Sequence, residues 1–122
     1  MAKSRIRKFR ESFLYAGRGL RLCITGERNF RVHMTAAFYV TAAAVMGHVT
    51  STEAAVLCLC FGLTMGAELM NTAVERLCDK TARGYDSMVK DAKDIAAAAV
   101  FVCAAACGAV GFFVFYGRGP RA

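Results

Sequence analysis

The chain has no tryptophan, one proline, Pro120, and only nine acidic residues against sixteen basic ones. With so little proline, almost nothing interrupts long helices. A continuous apolar run followed by a small-residue cleavage site is also missing near the N-terminus. Lys3, Arg5, Arg7, Lys8 and Arg10 lead instead into an amphipathic segment, so no signal peptide is expected. The phosphate loop of soluble nucleotide-binding folds, GxxxxGK[ST], is absent, and Gly17 with Gly19 is only a fragment of GxGxxG. Any nucleotide chemistry here must use an unrelated fold. Metal-ligand spacing is lacking as well: Cys58 and Cys60 are ~200° apart on a helix, and Cys103 and Cys107 have no histidine near them.

What is abundant is apolar. Of the 122 residues, 57% are hydrophobic, too many for an ordinary soluble domain of this length. A spanning helix needs ~20 mostly apolar residues, and three stretches qualify, at about 30–49, 54–77 and 95–116. The expected fold is an all-α membrane protein forming a single domain over 1–122, with an N-terminal amphipathic surface helix at about 4–25 and three transmembrane helices in a bundle. Cys58, Cys60, Cys103 and Cys107 lie inside the apolar spans, with Cys23 and Cys78 near the basic side. All six read as reduced packing residues.

The net charge of +7 is distributed in the way that orients a membrane protein, which argues against a nucleic-acid partner. Nine of the sixteen basic residues lie between Lys3 and Arg31 and five more between Arg76 and Lys93, whereas the turn from Gly47 to Glu53 has none. The positive-inside rule puts the N-terminus and the second loop in the cytoplasm, with Arg118 and Arg121 as a mild exception. Ile6, Phe9, Phe13, Gly17, Leu20 and Ile24 form a stripe among basic residues, the pattern of a helix lying on an anionic leaflet. The pattern fits a plain anchor as well as a lid. Gly62 with Gly66, and Gly108 with Gly111, are small residues suited to close packing of helices in lipid.

The chemistry concentrates in ELMNTAVERLCD at 68–79. At ~100° per residue, Glu75 lies about 20° from Glu68, Asp79 about 20° on the other side, and Asn71 about 60° away. An ionisable residue at membrane depth costs ~2.5 kcal/mol or more on insertion scales. Two glutamates and an asparagine in register therefore point to a site inside the bundle. Counted from Ala54 at ~1.5 Å per residue, Glu68 lies about 21 Å into a core ~30 Å thick, and Glu75 about level with the cytoplasmic headgroups. Flanking this end are Glu27 with Arg28 and Arg31, and KDAKD at 90–94. Phosphoryl transfer needs carboxylates for Mg²⁺, cations for the transferring phosphate and a group to deprotonate the attacking hydroxyl; all three types meet at one membrane face. Taken alone, Glu68 also fits a helix-packing hydrogen bond, a proton-relay carboxylate in a small proton-coupled transporter, or a structural subunit that pairs with a partner's span.

The blocks ERNFRVH at 27–33, ELMNTAVERLCD at 68–79 and AKDIAAAAV at 92–100, in this order and at these separations, closely resemble the signature blocks of the prokaryotic diacylglycerol kinase and undecaprenol kinase family of lipid kinases. YAGRGL at 15–20 also looks like that family's surface-helix pattern. The resemblance implies a bacterial inner-membrane enzyme that phosphorylates a lipid hydroxyl with Mg²⁺ and ATP, working as a homotrimer with active sites shared between neighbours. It implies Glu68 as the general base with Asn71 beside it, and Arg31 with them on the lipid side. Glu27 and Glu75 would hold the metal and so belong to the nucleotide site, which also takes in Tyr15, Tyr85, Lys93 and Asp94; Asp79 would support the site. Two departures concern the nucleotide side. Lys8 stands where a related arginine often occurs, keeping the charge without the bidentate geometry, and Gly84 and Asp86 flank Tyr85 where glutamate and histidine are frequent. His33 looks more like the undecaprenol branch, since the diacylglycerol branch tends to be acidic there, and it fits equally an interface histidine with no role in selectivity. Undecaprenol is the expected substrate, with diacylglycerol the alternative.

Overall fold

The computed structural model describes residues 2–81 and 83–116, with side chains from residue 4 onward. Arg118, Pro120, Arg121 and the Lys3 side chain lie outside the described residues. The described chain folds into four helices: α1 (Ala2–Gly26), α2 (Arg28–Met46), α3 (Ser51–Thr81) and α4 (Ser87–Tyr116).

Local chemistry sets each boundary. Gly26 ends α1, and Glu27 takes an extended backbone with φ −116° and ψ 113° that separates it from α2. Arg31 closes the corner by donating from Nη1 to the carbonyls of Ile24 at 3.1 Å and Thr25 at 3.2 Å, acceptors that the end of a helix leaves without partners. α2 stops at Met46, where Gly47 N–H returns to Ala43 O and His48 enters the left-handed region at φ 53°. α3 opens with a reciprocal capping box, Thr50 N–H to Glu53 Oε1 at 2.9 Å and Glu53 N–H to Thr50 Oγ1 at 3.1 Å. Before α4, Gly84 has a φ of +155° that favours glycine. Asp86 Oδ1 then accepts from Met88 N–H at 2.9 Å and Val89 N–H at 3.3 Å.

α3 and α4 form a long antiparallel hairpin in which Thr64 meets Cys107 at 3.1 Å and Asp79 meets Lys93 at 2.6 Å. α1 and α2 join it where Cys23 of α1, Phe30 of α2 and Met65 of α3 are buried, with Leu69 against them. Phe30 is the most buried large side chain at 2% exposure. Between α2 and the hairpin runs an apolar groove of about 850 Å³, from His33 at one end to His48 and Val49 at the other.

Buried apolar residues are few, while Phe38, Tyr39, Leu59, Phe101 and Phe113 are open to the surroundings. A water-soluble fold of this size could not leave its largest apolar side chains outside. α3 and α4 are each long and apolar enough to cross a membrane. α2 has 19 residues, about 28 Å of helix, and begins with Arg28 and Arg31, so its apolar part is shorter than theirs. It ends three residues before the expected limit at 49, and α4 begins at Ser87, eight residues before the expected span at 95, so KDAKD is part of the helix.

The glycine pairs do not pack as expected. A Cβ added at Gly62, Gly66, Gly108 or Gly111 would meet nothing within 4 Å. Within one chain these positions leave room for a side chain, Gly108 and Gly111 along the groove beside α2. All six cysteines are free; Cys23 and Cys78 are buried as packing residues, whereas Cys58 is exposed. Ile6, Phe9 and Phe13 of the α1 stripe are about two-thirds exposed, unshielded by the rest of the fold.

Candidate active site

The stripe of α3 faces the junction of the first three helices. Glu68 is 4% exposed, Asn71 9% and Thr72 5%. α3 supplies them in register because residues three, four and seven apart share a face, and the neighbouring Met65 and Leu69 seat that face against Phe30 and Cys23. Burial of an ionised carboxylate requires a partner. For Glu68 that partner is His33, whose Nε2 lies 2.9 Å from Glu68 Oε1 with side-chain exposures of 26% and 5%. Sequence spacing could not reveal this contact, because it joins two helices whose relative rotation is set only by packing.

One turn further along α3, Asn71 Nδ2 donates to Glu75 Oε1 at 3.4 Å. Asn71 Oδ1 is buried and has no hydrogen-bond partner among the described residues. Buried acceptors are ordinarily satisfied, so an orphan at the centre of a polar stripe marks where a donor from outside the protein can bind. Glu27, at the α1–α2 corner, faces Arg76 of α3 across 4.0 Å, with side chains 30% and 53% exposed. The corner and the stripe thus meet through the residue next to Glu75.

A second cluster lies in the overhang of α3 and α4 before the apolar part of α4 begins. Lys93 Nζ donates to Asp79 Oδ1 at 2.6 Å and Lys90 Nζ to Asp94 Oδ2 at 2.7 Å. Each lysine is held above its ordinary pKa, chiefly by that hydrogen bond and also by the attraction of its carboxylate, so both stay charged at neutral pH. Lys93 and Asp94, neighbours in the sequence, therefore turn to different partners.

The other expected residues have separate placements. Arg31 spends its guanidinium on the α1 carbonyls, and Asp86 caps α4. Both local uses could have been read from sequence: an Asp before a helix start is a capping signal, and so is an arginine just after a helix end. Tyr15 and Tyr85 are exposed, at 68% and 85%, and Lys8 is exposed on α1.

Whether this arrangement suits a metal turns on the donor set. Among the described residues no three His, Cys, Asp or Glu side chains converge, which does not suit a cation caged wholly by protein. Mg²⁺ is instead commonly held by one or two carboxylates plus substrate phosphates and water. Glu27 and Glu75 at the exposed end of the stripe suit that mode.

Fold and site together define a helical membrane protein whose buried carboxylate is reached along one polar helix face from a charged rim. The model of the family described as "Prokaryotic diacylglycerol kinase" matches residues 14–115, and the chain belongs to that family, a class of membrane-embedded lipid kinases. It is 33% identical over 113 residues to an undecaprenol kinase of Bacillus subtilis, covering 93% of this chain and 92% of that protein. It is 41% identical over 101 residues to a diacylglycerol kinase of Synechocystis sp., covering 82% of this chain but only 58% of that longer protein.

Proposed function

We propose that this protein transfers the γ-phosphoryl group of ATP to the hydroxyl of a membrane lipid at the cytoplasmic face of the bacterial inner membrane, with undecaprenol as the favoured acceptor. The observation that carries the reading is the polar stripe of α3: a buried carboxylate at membrane depth, an orphan acceptor beside it, and a second carboxylate two turns nearer the rim. Near-complete coverage of the undecaprenol kinase supports the choice of lipid, while the higher identity to the diacylglycerol kinase supports diacylglycerol as the alternative.

In this reading Glu68 takes the proton of the lipid hydroxyl, and Asn71 Oδ1 helps to hold the acceptor in place. Lys93, Asp94, Tyr15, Tyr85, Lys8 and Asp86 make up the nucleotide side, Arg31 belongs with the lipid headgroup, and Asp79 supports Lys93. Glu27 and Glu75 would hold Mg²⁺, which when bound would supply positive charge to the ATP phosphates. α1 lies on the leaflet, α2, α3 and α4 span it, and the open glycine faces are covered in a homotrimer whose neighbours complete each site.

The test is transfer of labelled γ-phosphate from MgATP by the purified protein in mixed micelles, with undecaprenol, diacylglycerol and no lipid run side by side and Glu68→Gln as control. Transfer to one lipid that is lost in the variant supports the reading and selects the substrate. No transfer to either lipid by folded, assembled protein overturns it.

A further inference from the structure

The His33–Glu68 contact has no part in the phosphoryl-transfer scheme above, although among the described residues it is the one ion-pair geometry in which a carboxylate of the stripe is almost wholly withdrawn from solvent. We infer that His33 is a positioning residue for the reaction, holding the Glu68 carboxylate at the inner end of the apolar groove in the orientation that receives the lipid's hydroxyl proton. The inference rests on the kinase reading and goes beyond it by assigning a role on a different helix.

Three features of the contact support it. The first is proximity: His33 Nε2 lies 2.9 Å from Glu68 Oε1, so the imidazole is the polar group set against that oxygen. The contact engages Oε1 and leaves the second oxygen of Glu68 to act as base. The second is leverage. A glutamate side chain has three rotatable bonds, and a base that must meet a hydroxyl within ~3 Å gains from having its rotamer fixed before the substrate arrives. The 2.9 Å contact between Glu68 and His33 joins two helices, so the carboxylate is tied to α2 as well as to its own backbone. The third is location: His33 also lines the groove between α2 and the hairpin, among Ala36, Ala37 and Val40. The imidazole thus sits where apolar walls meet the polar stripe, at the level where a lipid's chain ends and its hydroxyl begins.

The step balances without a proton leaving the imidazole. The lipid O–H bond breaks and its proton passes to Glu68. The oxygen forms a bond to the γ-phosphorus as the bond from that phosphorus to its bridging oxygen breaks, releasing ADP. His33 takes no part in the proton transfer and orients the carboxylate.

The experiment compares His33→Ala, His33→Asn and His33→Gln in the full-length protein in mixed micelles, measuring kcat and the KM values for MgATP and for the accepted lipid, with Glu68→Gln in parallel. The glutamine amide can reach to the place of Nε2, whereas the asparagine amide is one methylene shorter. The expected result is a roughly 10- to 100-fold fall in kcat for Ala and Asn, with KM for MgATP nearly unchanged, and recovery of most of the rate in Gln. A loss of kcat that Gln does not relieve, or equal rates in all three variants while Glu68→Gln is inactive, overturns the positioning role and leaves the kinase reading intact. Activity retained in Glu68→Gln would instead overturn the assignment of Glu68 as base. Should the Ala variant fail to assemble, the comparison of Gln with Asn decides alone.

Discussion

The junction around Glu68 and the charged overhang of the α3–α4 hairpin each contain a short contact between oppositely chargeable groups. The two differ in nearly everything that gives such a contact consequence. Lys93–Asp79 is the shorter, at 2.6 Å, but its side chains are 37% and 68% exposed. Water and salt compete with such a pair, and its partners can part at little cost. His33–Glu68 is longer, at 2.9 Å, yet its carboxylate is 5% exposed, near the level where α1, α2 and α3 meet around Phe30 and Met65. Removal of its partner would leave a desolvated carboxylate, the more damaging situation. Burial, more than contact length, decides which pair the structure depends on.

Three substitutions break or sharpen that contrast. Phe30→Ala should have the largest effect, destabilising the folded protein by about 3–5 kcal/mol because it empties the best-filled position of the junction. Denaturation in micelles followed by helical circular dichroism would measure it, and a loss under about 1 kcal/mol would mean that the junction is looser than its burial indicates. Asn71→Ala should leave stability nearly unchanged and lower lipid phosphorylation by about 100-fold, because it removes both the orphan acceptor and the donor to Glu75. Normal turnover in this variant would detach the stripe from the chemistry. Asp79→Asn should have the smallest effect, a few-fold rise in KM for MgATP that fades as salt is raised. An effect as large as that of Asn71→Ala would show that the overhang is as decisive as the junction.

Helices were legible in the sequence because apolar content and the lack of proline leave few alternatives. The expected surface helix at 4–25 corresponds to α1 at 2–26, and the spans at 54–77 and 95–116 lie within α3 and α4. Helix ends were less legible, since capping overrides hydropathy: Thr50 with Glu53 starts α3 early, and Asp86 starts α4 well inside the charged segment. For the candidate site, the shared face of Glu68, Asn71 and Glu75 follows from helical geometry alone. The partners from other helices do not, because the rotation of α2 that brings His33 to Glu68 depends on Phe30 filling the space between Cys23 and Met65. Arg76 shows the same limit. Its charge was plain, but its turn to Glu27 was not.

α3 is a single uninterrupted helix of 31 residues that carries both Glu68 and Glu75. It therefore works as a ruler: the two carboxylates are held about 10.5 Å apart along the axis by seven rises of ~1.5 Å. Such a ruler tolerates stretch better than twist. One residue inserted between them would lengthen the interval by only ~1.5 Å but rotate one carboxylate by ~100° relative to the other. In the proposed function, the reach from the lipid's hydroxyl to the nucleotide's phosphates would be fixed as a phase of the helix, and seven is the spacing that keeps both ends of the ruler on the same edge.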